Sequence, residues 1–270
     1  MKHALLTAMA VAALFAFGAR GSSASDNEIT IVGSTTVQPL AELLGNAFEE
    51  MHPGVTITVS GGGSSVGIST IGAGNCDIGT ASREITSDEF SRYPNMKDFV
   101  IARDGIAIIT NTGNTVTNLS KNQVRDIFTG DITNWSEVGG PNASIVVVSR
   151  EEGSGTRAAF EEMVLASAAM ITGLAILQPS NGAVMTTVST TPNSVGFVSF
   201  GYLNDTVKTI AINGVEPTAA NASAGRYPIV RPLNMLTDGE PTGVLKDFID
   251  FVMGPQGQAI VSSEGYLSIL

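Results

Sequence analysis

The chain has 270 residues, with 14 Lys and Arg against 25 Asp and Glu, a net charge of -11 and 43% apolar side chains. So acidic a chain does not suit a nucleic-acid or anionic-membrane surface, and 14% charged residues with 30 glycines exclude a coiled coil or a charge-rich disordered chain. Any anion it binds must be held by local geometry. Lys2 and His3 precede an apolar run from Ala4 to Phe17, and Ser22, Ser23 and Ala24 follow. That is the pattern of an export signal over residues 1–24, cut before Ser25. The run falls short of the about 20 residues a membrane span needs, which ranks export above an N-terminal anchor. The protein is therefore expected in the periplasm or at the cell surface. Cys76 is the only cysteine, so no internal disulfide, cysteine zinc site or lipid-bearing cysteine at the cut is available.

After the signal, Ile29 to Val32 reads as a strand ending at Gly33. A helix follows through Leu40, Leu43, Leu44, Ala47 and Phe48, with Pro39 in its first turn and Pro53-Gly54 as its stop. Val55 to Val59 alternates as a strand, Ser64 to Ile71 starts a helix, and Ile78 to Ala81 is again extended. This alternation calls for an α/β fold with a mainly parallel sheet. Further on come a strand at Ile106 to Thr110, a helix capped by Ser120, a strand at Ile145 to Val148 and a helix from Thr156 past Phe160 and Met163. Val195 to Ser199 and Ile229 to Leu236 read as extended, and Val244 to Met253 as an amphipathic helix. The polar stretches Thr186 to Ser194 and Pro217 to Gly225 read as loops.

Three times a strand ends in glycine with Ser or Thr just before a helix: Gly33-Ser34-Thr35-Thr36, Gly63-Ser64-Ser65 and Gly153-Ser154-Gly155-Thr156. Glycine lets a ligand approach the backbone, hydroxyls donate hydrogen bonds, and a helix N-terminus directs unpaired N–H groups at one spot. Converging, the three make an anion cradle; singly, each is an ordinary helix cap. Arg150 precedes the third loop and Arg83 follows Ala81-Ser82. A guanidinium fork suits a tetrahedral oxyanion, while the competing reading is a surface ion pair with Glu84, Glu151 or Glu152.

The segments G-S-T-T-V-Q-P-L, G-G-G-S-S-V-G, D-I-G-T-A-S-R-E and S-R-E-E-G-S-G-T-R occur in this order. With them the chain resembles the periplasmic phosphate-binding proteins of phosphate ABC transporters, over nearly all of its mature length. The resemblance implies a type II periplasmic binding protein fold of two lobes, each a mainly parallel sheet flanked by helices, joined by two crossover segments. It divides the chain into Ser25 to Asp104 plus Ile229 to Leu270 for one lobe and Gly105 to Pro228 for the other. It also implies that a phosphate ion is bound by Ser34, Thr35, Thr36, Ser64, Ser65, Ser82, Arg83, Arg150, Ser154, Gly155 and Thr156. No cofactor, metal or nucleic acid is expected, and the implied partner of the monomer is a membrane permease. One departure concerns Arg83, which stands where well-known members carry an aspartate whose carboxylate accepts a hydrogen bond from the protonated phosphate and repels fully ionised sulfate; other branches carry Ser-Arg. Arginine cannot accept, so Asp77, Glu84, Glu151 or Glu152 is expected to take the acceptor role.

Other functions are weaker. Gly63-Ser64-Ser65-Val66-Gly67 fits the hydrolase pattern G-x-S-x-G, but the base would have to be His52, at a helix end away from the strand tips. No Walker-type glycine loop with lysine exists. A structural or adhesive role leaves the anion loops unexplained, and sulfate, molybdate or an organic phosphate remain alternative ligands. Trp135 and Met163, Met170, Met185 and Met253 are expected to fill the core, and Tyr202 and Tyr266 to pack.

Overall fold

The computed structural model describes residues 27–165 and 169–270; the expected export signal lies outside them. Chain order begins with β1 (Glu28–Gly33), α1 (Gln38–Met51), β2 (Thr56–Ser60), α2 (Ser64–Gly72), β3 (Ile78–Ala81), α3 (Ser87–Arg92) and β4 (Met96–Thr110). There follow β5 (Asn118–Leu119), α4 (Lys121–Thr129), β6 (Val146–Arg150), α5 (Gly155–Phe160), β7 (Ile176–Gln178), α6 (Asn181–Thr190) and β8 (Ser194–Ser199). The last elements are β9 (Lys208–Ile212), α7 (Ala219–Ser223), β10 (Val230–Asp238), α8 (Gly243–Met253) and α9 (Pro255–Ser263).

The strands join in the order β2-β1-β3-β10-β4-β8-β6-β7, with β9 on β4 and β5 on β9. β1 runs parallel to β2 and β3, and β6 runs parallel to β7 and β8. Between these groups β10 and β4 pair antiparallel to each other and to their outer neighbours. The sheet is thus mixed, where a mainly parallel one was expected. The reason is the 15-residue β4, which pairs with β10 from Met96 to Gly105 and with β8 from Ile106 to Thr110. Its first part escapes a reading by apolar alternation because Lys97 and Asp98 are exposed within it.

Two large apolar clusters lie along this sheet. One joins Ile29, Leu40, Leu44, Phe48, Ile101, Leu233 and Phe248. The other joins Ile108, Phe128, Trp135, Phe160, Phe197 and Ile210; in it Phe160 and Phe197 stack with centroids 4.3 Å apart. Each such side chain, fully buried, contributes about 1.5–3 kcal/mol. Trp135 is fully buried, as expected, and donates from Nε1 to Asn193 O at 2.9 Å. Met170 departs from expectation: it is 76% exposed.

Two expected loops contain helix. Residues 181–190 form α6 because Ser180 caps Ala183 N and Val184, Met185 and Val188 pack inward. Residues 219–223 form α7, capped by Thr218, with Ala222 buried. α3 carries no apolar stripe to announce it, burying no residue, and is specified by a reciprocal cap between Thr86 and Glu89.

Candidate functional site

Strand ends of the first group bring three loops together, those at Gly33, Gly63 and Ser82. The Ser34 amide donates to Thr80 O at 3.1 Å and to Thr80 Oγ1 at 2.8 Å, and the Gly63 amide donates to Gly33 O at 2.9 Å. Close packing of α2 on the strands depends on Gly67, where a Cβ would lie 2.4 Å from Thr80 O. The Ser82 amide then reaches Ser64 Oγ at 3.0 Å, and Ser34 Oγ donates to Ser82 Oγ at 2.9 Å. Ser34, Thr36, Ser64 and Ser82 are all buried.

The fourth loop meets these from the other group of strands. Ser65 N donates to Gly153 O at 3.2 Å, and the hydroxyls of Thr36 and Thr156 are 2.9 Å apart. Gly155 lies so close that a Cβ there would sit 2.1 Å from Ser64 Oγ and 2.7 Å from Ser82 Oγ. Ser154 caps α5 by accepting from Arg157 N at 3.2 Å. Ser65 is exposed and Thr35 half-buried.

The two arginines are placed differently. Arg150 is 1% exposed. Its Nε and Nη2 donate to Glu151 at 2.9 and 2.8 Å, and Nη2 reaches Thr35 Oγ1 at 3.2 Å. Its Nη1 is buried with no hydrogen-bond partner, a donor left for an acceptor the protein does not supply. Arg83 instead grips Glu89 with both terminal nitrogens, at 2.9 and 2.7 Å, and donates to Glu84 O at 2.9 Å. Partial burial opposes ionisation of Glu89, yet the bonds from Arg83 and Thr86 win and lower it from 4.5 to about 2. Of the acids expected as acceptors, Asp77 takes the amide and hydroxyl of Thr30 at 2.7 Å each, on β1 ahead of the loop. Glu151 is held by Arg150, and Glu84 and Glu152 are exposed.

Several residues at this junction are absent from the sequence reading. Arg231 on β10 is 1% exposed in its side chain and pairs with the fully buried Asp104 of β4 at 2.9 Å. Burial raises the Asp104 carboxyl above its ordinary range, and the guanidinium works against that rise. Arg231 Nη1 donates to Ser82 O at 2.9 Å and to Ser82 Oγ at 3.3 Å, and Nη2 to Thr36 Oγ1 at 3.4 Å. Asn181 Nδ2 donates to the same Thr36 Oγ1 at 2.9 Å. Tyr202 and Tyr266 do more than pack: their hydroxyls donate to Thr35 O at 2.7 Å and Thr36 O at 3.2 Å. The available signal was a charge in an apolar extended run, clear for Arg231 among Ile229 to Leu236 and weaker for Asp104, which follows Arg103 and precedes Gly105-Ile106. His52 is remote from this chemistry; it stacks on Phe48 at 3.9 Å and donates from Nδ1 to Phe48 O at 3.0 Å.

Against known proteins, the model of the PBP superfamily domain matches residues 18–256. The phosphate-binding protein PstS of Bacillus subtilis is 34% identical over 93% of this chain and 84% of its own length. The protein of the same name from Borreliella burgdorferi is 30% identical, over 90% of this chain and 91% of its own. Among solved structures, a Clostridium perfringens substrate-binding protein assigned to a phosphate ABC transporter, crystallised with bound phosphate, superposes with a TM-score of 0.87. It shares 40% identity and covers 90% of this chain and 100% of that one. An ABC-type phosphate transport receptor from Vibrio cholerae gives a TM-score of 0.75 at 34% identity, over 88% of this chain and 99% of that one.

Proposed function

This chain belongs to the phosphate-binding proteins of the PBP superfamily, and from that premise we propose that it is the substrate-binding component of a phosphate ABC transporter. It captures inorganic phosphate outside the cytoplasm, between two lobes, and delivers it as a monomer to a membrane permease. It is a receptor and not an enzyme. The lobes run from Ser25 to Asp104 plus Ile229 to Leu270, and from Gly105 to Pro228, with β4 and the segment just before β10 passing between them.

The reading rests chiefly on Arg150, which is buried with Nη1 unpaired and Nη2 on Thr35 Oγ1, in a junction where hydroxyls of three further loops meet, Thr36 with Thr156 and Ser34 with Ser82 and Ser64. Stripping water from a multiply charged ion costs many kcal/mol unless its oxygens regain donors. Arg150 supplies the charge; Ser34, Thr36, Ser64, Ser82 and Thr156 supply hydroxyls at or just behind the ligand; Thr35 and Gly155 supply main-chain groups, while Ser65 and Ser154, whose amides go to Gly153 O and Glu151 O, supply shape. Arg83, its charge balanced by Glu89, belongs to the rim, without direct contact with the ligand.

The test is equilibrium dialysis of refolded mature protein with labelled phosphate, competed by sulfate and by molybdate. One site per chain, displaced by phosphate and much less by the other two, is expected. Arg150→Met should weaken binding about 1,000-fold, the scale of losing a buried charged donor. Equal displacement by sulfate would make this a general oxyanion receptor, and no retention of any oxyanion would overturn the reading.

A further inference from the structure

The hydroxyl hydrogens at the junction can be traced by counting lone pairs, since a hydroxyl has one hydrogen to give and two lone pairs to fill. Ser34 Oγ accepts from Thr36 N at 3.2 Å and Val37 N at 3.4 Å, so its hydrogen goes to Ser82 Oγ at 2.9 Å. Ser82 Oγ also accepts from Arg231 Nη1 at 3.3 Å, which leaves its own hydrogen for Ser64 Oγ at 3.4 Å. Ser64 Oγ already accepts from the Ser82 amide at 3.0 Å, so its hydrogen is turned outward. On the second branch, Thr36 Oγ1 accepts from Asn181 Nδ2 at 2.9 Å and Arg231 Nη2 at 3.4 Å. Thr36 must then donate to Thr156 Oγ1, 2.9 Å away, and the hydrogen of Thr156 is passed on in turn.

Both branches draw on one guanidinium. We infer that Arg231, clamped by Asp104, is a positioning residue for the anion: it sets the direction of both hydroxyl chains so that Ser64 and Thr156 offer hydrogens to the ligand. The inference rests on the oxyanion-receptor reading above. An unoriented hydroxyl can equally turn a lone pair toward an anion, so fixing it beforehand removes that cost from binding. Asp104 balances the charge of Arg231, accepting from Nε at 3.2 Å and from Nη2 at 2.9 Å. The pair thus acts through orientation, and Arg150 remains the charge that faces the anion.

The test is a double-mutant cycle on the mature protein, read as phosphate dissociation constants with thermal midpoints alongside. Asp104→Leu with Arg231→Met removes the pair without leaving a buried lone charge. We expect this variant to fold, to bind phosphate about 100-fold more weakly, and to lose under about threefold more on Ser64→Ala. In the parent, Ser64→Ala should cost about tenfold, the scale of one hydrogen bond to a charged ligand. Should the pair-deleted variant not fold, Arg231→Lys carries the same cycle, since one ammonium cannot serve Ser82 and Thr36 together; a coupling above about threefold is expected there. Additive losses in the folded background, or undiminished affinity without the pair, would overturn the inference while leaving the receptor reading intact. A parent that binds no oxyanion would overturn both.

Discussion

A methyl group on Gly155 would lie 2.1 Å from Ser64 Oγ, well inside contact distance. Neither partner can yield without breaking the hydroxyl chains, so Gly155→Ala is expected to weaken phosphate binding by about 100-fold or more. Its thermal midpoint should move little, because the clash arises only where the two groups of loops meet; calorimetric titration beside a melting curve separates the two effects. Glu89 makes a different prediction, about stability. Its carboxyl falls from 4.5 to about 2 on folding, with burial opposing and Arg83 and Thr86 prevailing. The folded state therefore gains from Glu89 above pH 4.5, and that gain fades as pH drops from about 4.5 toward 2. Glu89→Gln should lower the midpoint at pH 7 and flatten its decline over this acid window. Phosphate affinity should change by less than about tenfold, since a rim charge acts through weak, screened interactions.

Helix caps divide stability from binding at the level of elements. Ser120 caps α4 by accepting from Gln123 N, with the Gln123 side chain returning to the Ser120 amide. Ser120→Ala should cost about 1 kcal/mol in denaturant unfolding and leave phosphate affinity unchanged. Ser154→Ala removes the cap of α5 and should cost stability and affinity together, because that loop faces Ser64 and Ser65. The sequence disclosed the elements whose apolar period matches their burial: β1, α1, β3, α4, β8 and α8. It hid those made by local capping or tertiary contact. α3 buries nothing, and α6 is a run of Thr and Val whose helix needs Ser180 and the core beside it. The glycine loops were legible because Gly, Ser and Thr before a helix have few local meanings. Arg231, Asp104, Asn181 and the two tyrosine hydroxyls were not, since each gains its role from a partner at least 96 residues away or more. The partner of Arg83 likewise came from a helix that the apolar pattern does not announce.

At the scale of the whole molecule, four of the side-chain bonds between the two groups of strands converge on one dipeptide. Arg150, Thr156, Asn181 and Tyr202 all reach Thr35 or Thr36. Tyr202→Phe deletes one of these bonds, to the Thr35 carbonyl, without changing packing. It should speed phosphate release about threefold to tenfold, the scale of one net hydrogen bond, as read by stopped-flow displacement. The function proposed above couples ligand to shape: a phosphate bound by loops from both proposed lobes would favour a closed arrangement by its differential contacts. The most direct test is small-angle scattering of the refolded mature protein during a phosphate titration. Capture between two lobes requires a fall in radius of gyration that saturates at one phosphate per chain and tracks binding measured by dialysis. Binding without compaction would contradict capture between two lobes.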